Sequence, residues 1–179
     1  MKIGLLALQG AVSEHRDSMK KLGVDVDKVR KPKDLNNLDG LIVPGGESTT
    51  LRKLLKNSKL WDRISNIDIP IMGICAGAIL MGKCKDETFE KMNLRIDRNY
   101  YGRQTDSFEE YIKTTDNKKI KGVFIRAPGI TSIGNGVKPI AWKGNEIVGC
   151  TENKHMALTF HPELTNDVTF HELWVKGLK

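Results

Sequence analysis

Cysteine, aromatic residues and long apolar runs are all scarce in this 179-residue sequence. The three cysteines are Cys75, Cys84 and Cys150. Because no two of them form a CxxC pair, neither a zinc ribbon nor a redox dithiol is indicated. Aromatic residues make up only 6% of the chain, which argues against a surface that stacks nucleic-acid bases. No apolar run approaches the roughly 18 residues of a membrane-spanning helix, so no membrane association is expected.

Sequence motifs for metal binding, for phosphate binding and for export from the cell are also missing. There is no HExxH motif, and the histidines lack ligand spacing with the cysteines, so neither a metal nor another cofactor is expected. The glycine-bearing segment 43–50 lacks the GKS or GKT ending of a phosphate-binding P-loop. The first apolar stretch ends in Gln9-Gly10 and not in a small-residue cleavage site, which predicts a first strand and a cytoplasmic protein.

The balance of charge is positive, with 29 basic against 22 acidic side chains and a formal net charge of +7. The charges are interspersed, and no compact basic cluster with interleaved aromatic residues occurs, so a nucleic-acid partner is not expected. A solvated surface explains the charge, and a docking surface for an acidic protein is the alternative. The hydrophobic fraction of 39% is enough to build a core at this length.

In the first half of the chain, short apolar runs alternate with amphipathic segments. Strands are predicted at 3–8, 24–29, 40–46 and 69–74, and helices at 13–22, 48–57, 60–66 and 76–82. This alternation is typical of a parallel, doubly wound α/β sheet.

The second half has mostly strand-like segments with few helices between them. They lie at 92–97, 108–115, 122–127, 139–142, 146–151 and 155–160. Antiparallel pairing at one side of the sheet is therefore expected. A closing helix is predicted from Glu163 onward, with Val168, Leu173, Trp174 and Leu178 facing the core. Because no linker separates the halves, residues 1–179 are expected to form a single domain.

Cys75 lies between an apolar strand and an apolar helix in the pattern Gly73-Ile74-Cys75-Ala76-Gly77. This is the cysteine analogue of the nucleophile elbow, in which glycines allow a sharp turn. At a helix N-terminus, a thiol pKa falls from about 8.5 toward neutrality. The N–H of Ala76 is placed to donate to a developing oxyanion. A buried structural cysteine is the competing interpretation.

His161 and Glu163 are two residues apart in the segment 158–163. In an extended chain, their side chains project to the same side, with backbones roughly 6 to 7 Å apart. The carboxylate can then hold the imidazole in one tautomer while it accepts the thiol proton. A purely structural His-Pro-Glu turn is the alternative. The other histidines are expected to be surface or packing residues, with a minor role left open for His15 and His171.

A second glycine-bearing turn, Pro44-Gly45-Gly46-Glu47-Ser48, follows the third predicted strand. Its backbone N–H groups, Glu47 and Ser48 are candidates to contact a small substrate, whereas a helix start capped by Ser48 is the simpler interpretation. Three arginines near strand ends, Arg98, Arg103 and Arg126, suit a substrate carboxylate.

These residues together closely resemble one known family. The resemblance runs in order through the following segments: 8–12 with Glu14-His15, 44–49, 73–77, 98–104 with 106–109, 122–128 and 160–164. The chain is similar to the glutaminase subunits of pyridoxal 5′-phosphate synthase, which are class I, triad-type glutamine amidotransferases. The resemblance implies a flavodoxin-like α/β fold with helices on both faces of the sheet.

The resemblance also implies an activity, which is hydrolysis of L-glutamine to L-glutamate and ammonia. Cys75 would be the nucleophile, His161 the acid and base, and Glu163 the orienting carboxylate. Glutamine-binding positions would be Gly46, Glu47, Ser48, Arg98, Ile125 and Arg126, and the oxyanion hole would use backbone N–H groups near Gly46 and Ala76. Ile74 stands where this family usually has threonine, which is expected to alter only packing beneath the turn.

The family further implies a protein partner. Ammonia would pass to a synthase subunit that makes the vitamin B6 cofactor, within a large multimeric complex. The Gln9-Gly10 turn would respond to docking of that subunit. Three alternatives remain: a class I amidotransferase that serves another acceptor, a cysteine peptidase or amidase, and a regulatory binding module without catalysis.

Overall fold

The computed structural model describes residues 1–101 and 107–179. In those ranges the strands are β1 (Ile3–Leu6), β2 (Val26–Val29), β3 (Gly40–Val43), β4 (Ile71–Ile74), β5 (Leu94–Asp97), β6 (Phe108–Thr114), β7 (Lys119–Phe124), β8 (Gly129–Ile133), β9 (Lys138–Lys143), β10 (Glu146–Glu152) and β11 (His155–Leu158). The helices are α1 (Val12–Lys21), α2 (Ser48–Asn57), α3 (Trp61–Asn66), α4 (Ala76–Met81) and α5 (Thr169–Leu178). None of these helices combines the length and apolar character that crossing a membrane requires.

Within the described ranges, nine strands form one sheet in the order β2-β1-β3-β4-β11-β10-β9-β6-β7. The neighbours from β2 through β11 are parallel. From β11 through β7 the neighbours are antiparallel. After β1, the chain goes to β2 on one side and then crosses to β3 on the other, which makes a topological switch point. The predicted combination of a parallel sheet with antiparallel strands from the second half is confirmed.

The sheet carries a core on each face because successive side chains of its buried strands point to opposite sides. In β3, Leu41 and Val43 belong to one core cluster and Ile42 to the other. Buried residues of α2, α3 and α4 join the first cluster, and those of α1 and α5 join the second. Helices therefore cover both faces, as the resemblance implied.

The region after β7 differs from the prediction. The strand predicted at 122–127 is observed at 119–124 as β7. Strand β8, which was not predicted, pairs with β5 in a separate two-stranded sheet. Its burial pattern lacks a buried face, since Thr131 and Ser132 in the middle are both exposed. A strand without apolar alternation gives no periodic signal.

The closing helix begins later than predicted. The segment Pro162–Leu164 is a short 3-10 turn, and α5 starts at Thr169, so a helix from Glu163 was wrong. The core-facing assignment of Leu173 was also wrong, because its side chain is 44% exposed. Trp174 is 3% exposed, and its indole N–H donates to the carbonyl of Lys154 at 3.1 Å, which fixes the buried face of α5. Val168 and Leu178 are partly buried.

Candidate active site

The candidate site lies where the carboxyl ends of four neighbouring parallel strands meet. Gln9-Gly10 follows β1, the turn 44–47 follows β3, Cys75 follows β4, and His161 follows β11. These strands are adjacent in the order β1-β3-β4-β11. Segments far apart in sequence therefore converge at one edge of the sheet, where open α/β folds bind their ligands.

Cys75 forms a strained turn between β4 and α4. Its backbone has φ 50° and ψ −104°, a left-handed conformation that residues other than glycine rarely adopt. The turn is held by a hydrogen bond from the Cys75 N–H to the carbonyl of Leu158 at 2.8 Å. Gly77 has no room for a side chain, because a Cβ there would collide with the carbonyl oxygen of Val43. The predicted glycine-flanked elbow is therefore present in the backbone geometry.

Cys75 and His161 approach each other across Gly45. A Cβ on Gly45 would collide with Cε1 of His161 and would lie 3.3 Å from Cβ of Cys75. The thiol Sγ lies 3.8 Å from the carbonyl oxygen of Ile125. The side chains of Cys75 and His161 are both almost fully buried. The absence of a side chain at Gly45 is what lets the thiol and the imidazole approach.

His161 and Glu163 form a buried charged pair. Nδ1 of His161 donates to Oε1 of Glu163 at 2.8 Å. Burial lowers the pKa of His161, but the Cys75 thiol and the Glu163 carboxylate outweigh burial and raise this pKa to about 10. Burial raises the pKa of Glu163, but the hydrogen bond from His161 and the nearby His15 bring it below its ordinary value. The imidazolium and the carboxylate thus stabilise each other's charged forms.

A cavity of about 710 Å³ opens above this pair. Among the residues singled out from the sequence, its lining includes Gly10, Gly46, Glu47, Ser48, Cys75, Arg98, Ile125, Arg126 and His161. Gln9, Ala76 and Glu163 lie next to the lining. Gln9 donates from Nε2 to the carbonyl of Glu47 at 3.0 Å, Ala76 is the first residue of α4, and Glu163 sits behind His161.

Glu47, and not Ser48, caps helix α2. Its carboxylate accepts hydrogen bonds from the N–H groups of Thr49 at 3.1 Å and Thr50 at 2.7 Å. Although burial raises the pKa of Glu47, these hydrogen bonds lower it to about 2, so the side chain stays ionised. The Ser48 hydroxyl is buried and has no hydrogen-bond partner in the described part of the chain. Ser48 as a residue also lines the cavity.

The three candidate arginines have different surroundings. Arg98 is 2.9 Å from Oε1 of Glu47 through Nη2, and its Nη1 donates to the Thr49 hydroxyl at 2.7 Å. Arg126 is exposed at the cavity wall and has a left-handed backbone with φ 43°. Arg103 lies outside the described residues. Arg98 and Arg126 thus bring two positive charges to the cavity.

Comparison with known proteins identifies the family. A family model described as the SNO glutamine amidotransferase family matches residues 5–179. The chain belongs to this family. It is 47% identical over 171 residues to the pyridoxal 5′-phosphate synthase subunit PdxT of Methanocaldococcus jannaschii, covering 93% of this chain and 92% of that protein. It is 42% identical over 193 residues to the subunit of the same name from Thermococcus onnurineus, covering 98% of both chains.

Solved structures give the same result for this amidotransferase fold. A crystal structure of a glutamine amidotransferase matches with a TM-score of 0.88 at 37% identity and 98% coverage of both chains. A glutamine amidotransferase from Thermotoga maritima matches with a TM-score of 0.63 at 16% identity, covering 99% of this chain and 84% of that one. At the lower identity, the likeness concerns the fold alone. The predicted family and fold class, and the expected glutaminase type of activity, are confirmed.

Sequence reasoning did not identify the contact of two histidines with the amidotransferase site. His15 and His171 were expected to be surface or packing residues, with a minor role left open; both are fully buried, and His15 Nε2 lies 3.5 Å from Oε1 of Glu163. The signal available for His15 was its position on the apolar face of α1, three residues after Val12 and four before Met19. Ile74 is also fully buried, in the core cluster shared with α1 and α5.

Proposed function

We propose that this chain hydrolyses L-glutamine to L-glutamate and ammonia, with Cys75 as nucleophile, His161 as general acid and base, and Glu163 as the orienting carboxylate. The observation that carries the proposal is the position of Cys75. Its strained elbow borders the cavity, and it meets His161 across Gly45 while Glu163 binds the far nitrogen of the ring. This is the arrangement expected of an activated thiol and a base held by a third group.

The first chemical step forms a thioester. The Cys75 thiolate attacks the carboxamide carbon of glutamine, and the C–N bond then breaks while Nε2 of His161 gives its proton to the leaving nitrogen, which departs as ammonia. Water next attacks the thioester and gives one proton to His161. The C–S bond breaks, and the thiolate and imidazolium are restored. The new carboxylic acid gives the remaining proton of the water to solvent or to ammonia, and glutamate leaves. No external oxidant or cofactor enters this sequence.

The developing oxyanion would be stabilised by the backbone N–H groups of Gly46 and Ala76. Ala76 is the first residue of α4, where the N–H has no partner within the helix. Gly46 adopts φ 138° in the turn after β3, a conformation open to glycine. Such donors stabilise charge that appears only during the reaction.

The rest of the substrate would contact Gly46, Glu47, Ser48, Arg98, Ile125 and Arg126. Glutamine carries an α-carboxylate, which suits the guanidinium groups of Arg98 and Arg126. Its α-ammonium group suits an ionised carboxylate such as Glu47. Ser48, which lines the cavity, would supply a neutral polar contact.

Ammonia would pass to a synthase subunit that forms pyridoxal 5′-phosphate. The support is that the curated relatives of this chain carry the name of a pyridoxal 5′-phosphate synthase subunit over nearly their full length. Residues 1–179 would act as a single glutaminase domain within a large cytoplasmic complex. The Gln9-Gly10 turn, which contacts the turn after β3, would transmit docking of the synthase subunit.

The direct test is glutamate release from glutamine, measured with and without the synthase subunit. We expect the rate to rise when the synthase subunit is present and to vanish in Cys75→Ala. Cys150→Ala is the matched control, because burial raises the pKa of the Cys150 thiol to about 12 and leaves it unreactive. A thiol-reactive glutamine analogue should label Cys75 and not Cys150.

Two results would contradict parts of the proposal. Activity that persists in Cys75→Ala would remove the assigned nucleophile. Activity that is unchanged by the synthase subunit would support the glutaminase assignment and contradict the assigned partner.

A further inference from the structure

Behind Glu163 lies a pair of histidines that the proposed reaction does not use. His15 comes from α1 and His171 from α5, which are packed in the same core. Both side chains are fully buried, at 0% exposure. Neither lines the cavity that holds Cys75. They are therefore placed to act on the site only through Glu163.

The three side chains form a chain of contacts. Nδ1 of His15 lies 3.0 Å from Nε2 of His171. Nε2 of His15 lies 3.5 Å from Oε1 of Glu163, which is the oxygen that also accepts from His161. At 3.5 Å the contact with the carboxylate is electrostatic and longer than a full hydrogen bond. The order is His171, His15, Glu163, His161.

The protonation states follow from the surroundings of the two rings. Burial lowers the pKa of His15, although Glu163 opposes the shift, and burial with the nearby His15 lowers the pKa of His171 to about 3. Both rings are thus neutral near pH 7. The charged or titratable groups that face His15 are Glu163 and His161 on one side, His171 on the other, and Glu14 on its own helix.

The contact geometry then selects a tautomer. A neutral ring that turns Nε2 toward a carboxylate is stable only if Nε2 carries the proton, because a lone pair would repel the oxygen. Nδ1 of His15 must then accept, so His171 donates to it from Nε2. Each ring would carry its proton on Nε2. The N–H of His161 would then donate to Glu163 at 2.8 Å, and the N–H of His15 would face the same oxygen at 3.5 Å.

A packing role alone does not explain this pair. Buried polar atoms without partners destabilise a fold, and in the described part of the chain Nε2 of His15, Nδ1 of His171 and Oε2 of Glu163 have no full hydrogen bond. Nε2 of His15 has the 3.5 Å contact with Glu163 instead. An apolar side chain would fill the space without that cost, as Met19 does one turn further along α1. The polar rings are explained if they serve the carboxylate.

We propose that His15 is a positioning residue for the glutaminase reaction: its Nε2–H keeps the carboxylate of Glu163 turned toward His161, and His171 fixes the tautomer of His15 that makes this contact. This inference rests on the proposed role of Glu163. It predicts that the two histidines affect turnover and not substrate binding, since neither reaches the cavity.

The kinetic test compares His15→Leu with His15→Gln, in the presence of the synthase subunit. Leucine removes the donor at similar size, whereas the amide of glutamine restores an N–H near Glu163. We expect His15→Leu to lower kcat roughly tenfold with little change in KM, in the range seen when a supporting partner of a functional group is lost. We expect its alkaline limb in the pH profile to move to lower pH, because a displaced carboxylate no longer raises the pKa of His161. His15→Gln should restore most of the lost kcat and return the alkaline limb most of the way to its original pH.

His155→Leu is the matched control. His155, unlike His15, is only partly buried, and its Nδ1 accepts from the N–H of Ile71 at the opposite end of β11 from His161. Its loss removes one hydrogen bond but should leave the pH profile unchanged. A pH profile of His15→Leu that matches the unmodified protein, or equal losses of kcat in the leucine and glutamine variants, would overturn the proposal.

A second measurement does not require any variant to fold or any activity to be present. Nitrogen-15 spectra of the histidine rings in the unmodified chain report directly which nitrogen carries the proton. Nε2-protonated, neutral rings for His15 and His171 at pH 7 support the proposal. A proton on Nδ1 of His15 overturns it. Absence of glutaminase activity in the unmodified protein would instead count against the proposed function, so the two failures can be told apart.

Discussion

At the scale of single residues, the candidate site depends on a charge pair that the fold keeps out of water. His161 has a pKa raised to about 10, and Glu163 has a pKa held below its ordinary value. The pair is therefore charged from the lowered pKa of the carboxylate up to about pH 10. Its contribution to stability is lost as pH falls through the first of these values and as pH rises through the second.

Glu163→Gln tests this charge pair. An amide gives no negative charge to His161, so the pKa of the ring should fall toward its ordinary value of about 6.5. We expect the alkaline limb of kcat/KM, which reports groups of the free enzyme, to move to lower pH in this variant. The measurement is the glutaminase rate across the pH range, together with the thermal unfolding midpoint.

Glu172→Gln is the control for Glu163→Gln. Glu172 forms an ion pair with Lys176 at 2.7 Å on α5, in which Lys176 is exposed and Glu172 is about half exposed. Surface pairs of this kind contribute about 0–1 kcal/mol. An unchanged alkaline limb in Glu163→Gln would show that Glu163 does not act on the titration of His161.

Which of these residues could be predicted depended on how local their signal was. Glycines lie two residues before and two residues after Cys75, and Glu163 is two residues from His161. The elbow and the His-Glu pair can therefore both be recognised from local sequence. The contact of His15 with His171 joins positions 156 residues apart. No spacing rule reports such a pairing, and only the topology that packs α1 beside α5 creates it.

At the scale of secondary-structure elements, the site requires β3 and α4 to approach so closely that only glycine fits between their backbones. A Cβ on Gly77 would meet the carbonyl of Val43, which is backbone and cannot rotate away. A Cβ on Gly73 would lie 2.7 Å from backbone atoms of Gly77. The elbow is therefore sensitive to a single added methyl group.

Gly77→Ala should move α4 away from β3 and displace Cys75. We expect a loss of about 1–3 kcal/mol in the free energy of unfolding, as for other overpacked sites. The glutaminase rate should fall further than stability alone would explain, because the thiol no longer faces His161. Denaturant unfolding and glutamate release on the same sample measure both effects.

Gly177→Ala is the opposite case on α5. A Cβ there meets nothing within 4 Å, and alanine favours a helix by about 0.5–1 kcal/mol over glycine. We expect equal or greater stability and unchanged activity. A Gly77→Ala variant as stable and active as Gly177→Ala would refute the packing argument.

The secondary-structure elements could be predicted best where a strand is buried on both faces of the sheet. Strands β1, β3 and β4 are short apolar runs that are fully buried, and their positions agree with the prediction to within a few residues. Strand β8 has no such run, and the start of α5 is delayed by the 3-10 turn at Pro162–Leu164. Sequence periodicity predicts that a helix is present, but it does not predict the residue at which the helix begins after a turn.

At the scale of the whole molecule, two side chains link the segments that flank β1 and β3, one at each end of these strands. At the carboxyl edge, Gln9 donates to the carbonyl of Glu47 at 3.0 Å. At the amino edge, Asp39 accepts from the N–H of Lys2 at 2.6 Å. The first link holds the turn that bears Gly46, whereas the second is remote from the cavity. The two links provide a matched pair for testing control by a docked partner.

Gln9→Ala should alter the response to the synthase subunit. Without the amide, the turn 44–47 loses one constraint that holds it in the undocked arrangement, so we expect the basal glutaminase rate to rise and the ratio of docked to undocked rates to fall. Asp39→Ala breaks the link at the far edge and should leave that ratio unchanged. Glutamate release with the synthase subunit in saturating amounts, divided by release in its absence, gives the ratio for each variant. Equal ratios in Gln9→Ala and Asp39→Ala would mean that docking acts on the site by a route that does not include the Gln9-Gly10 turn.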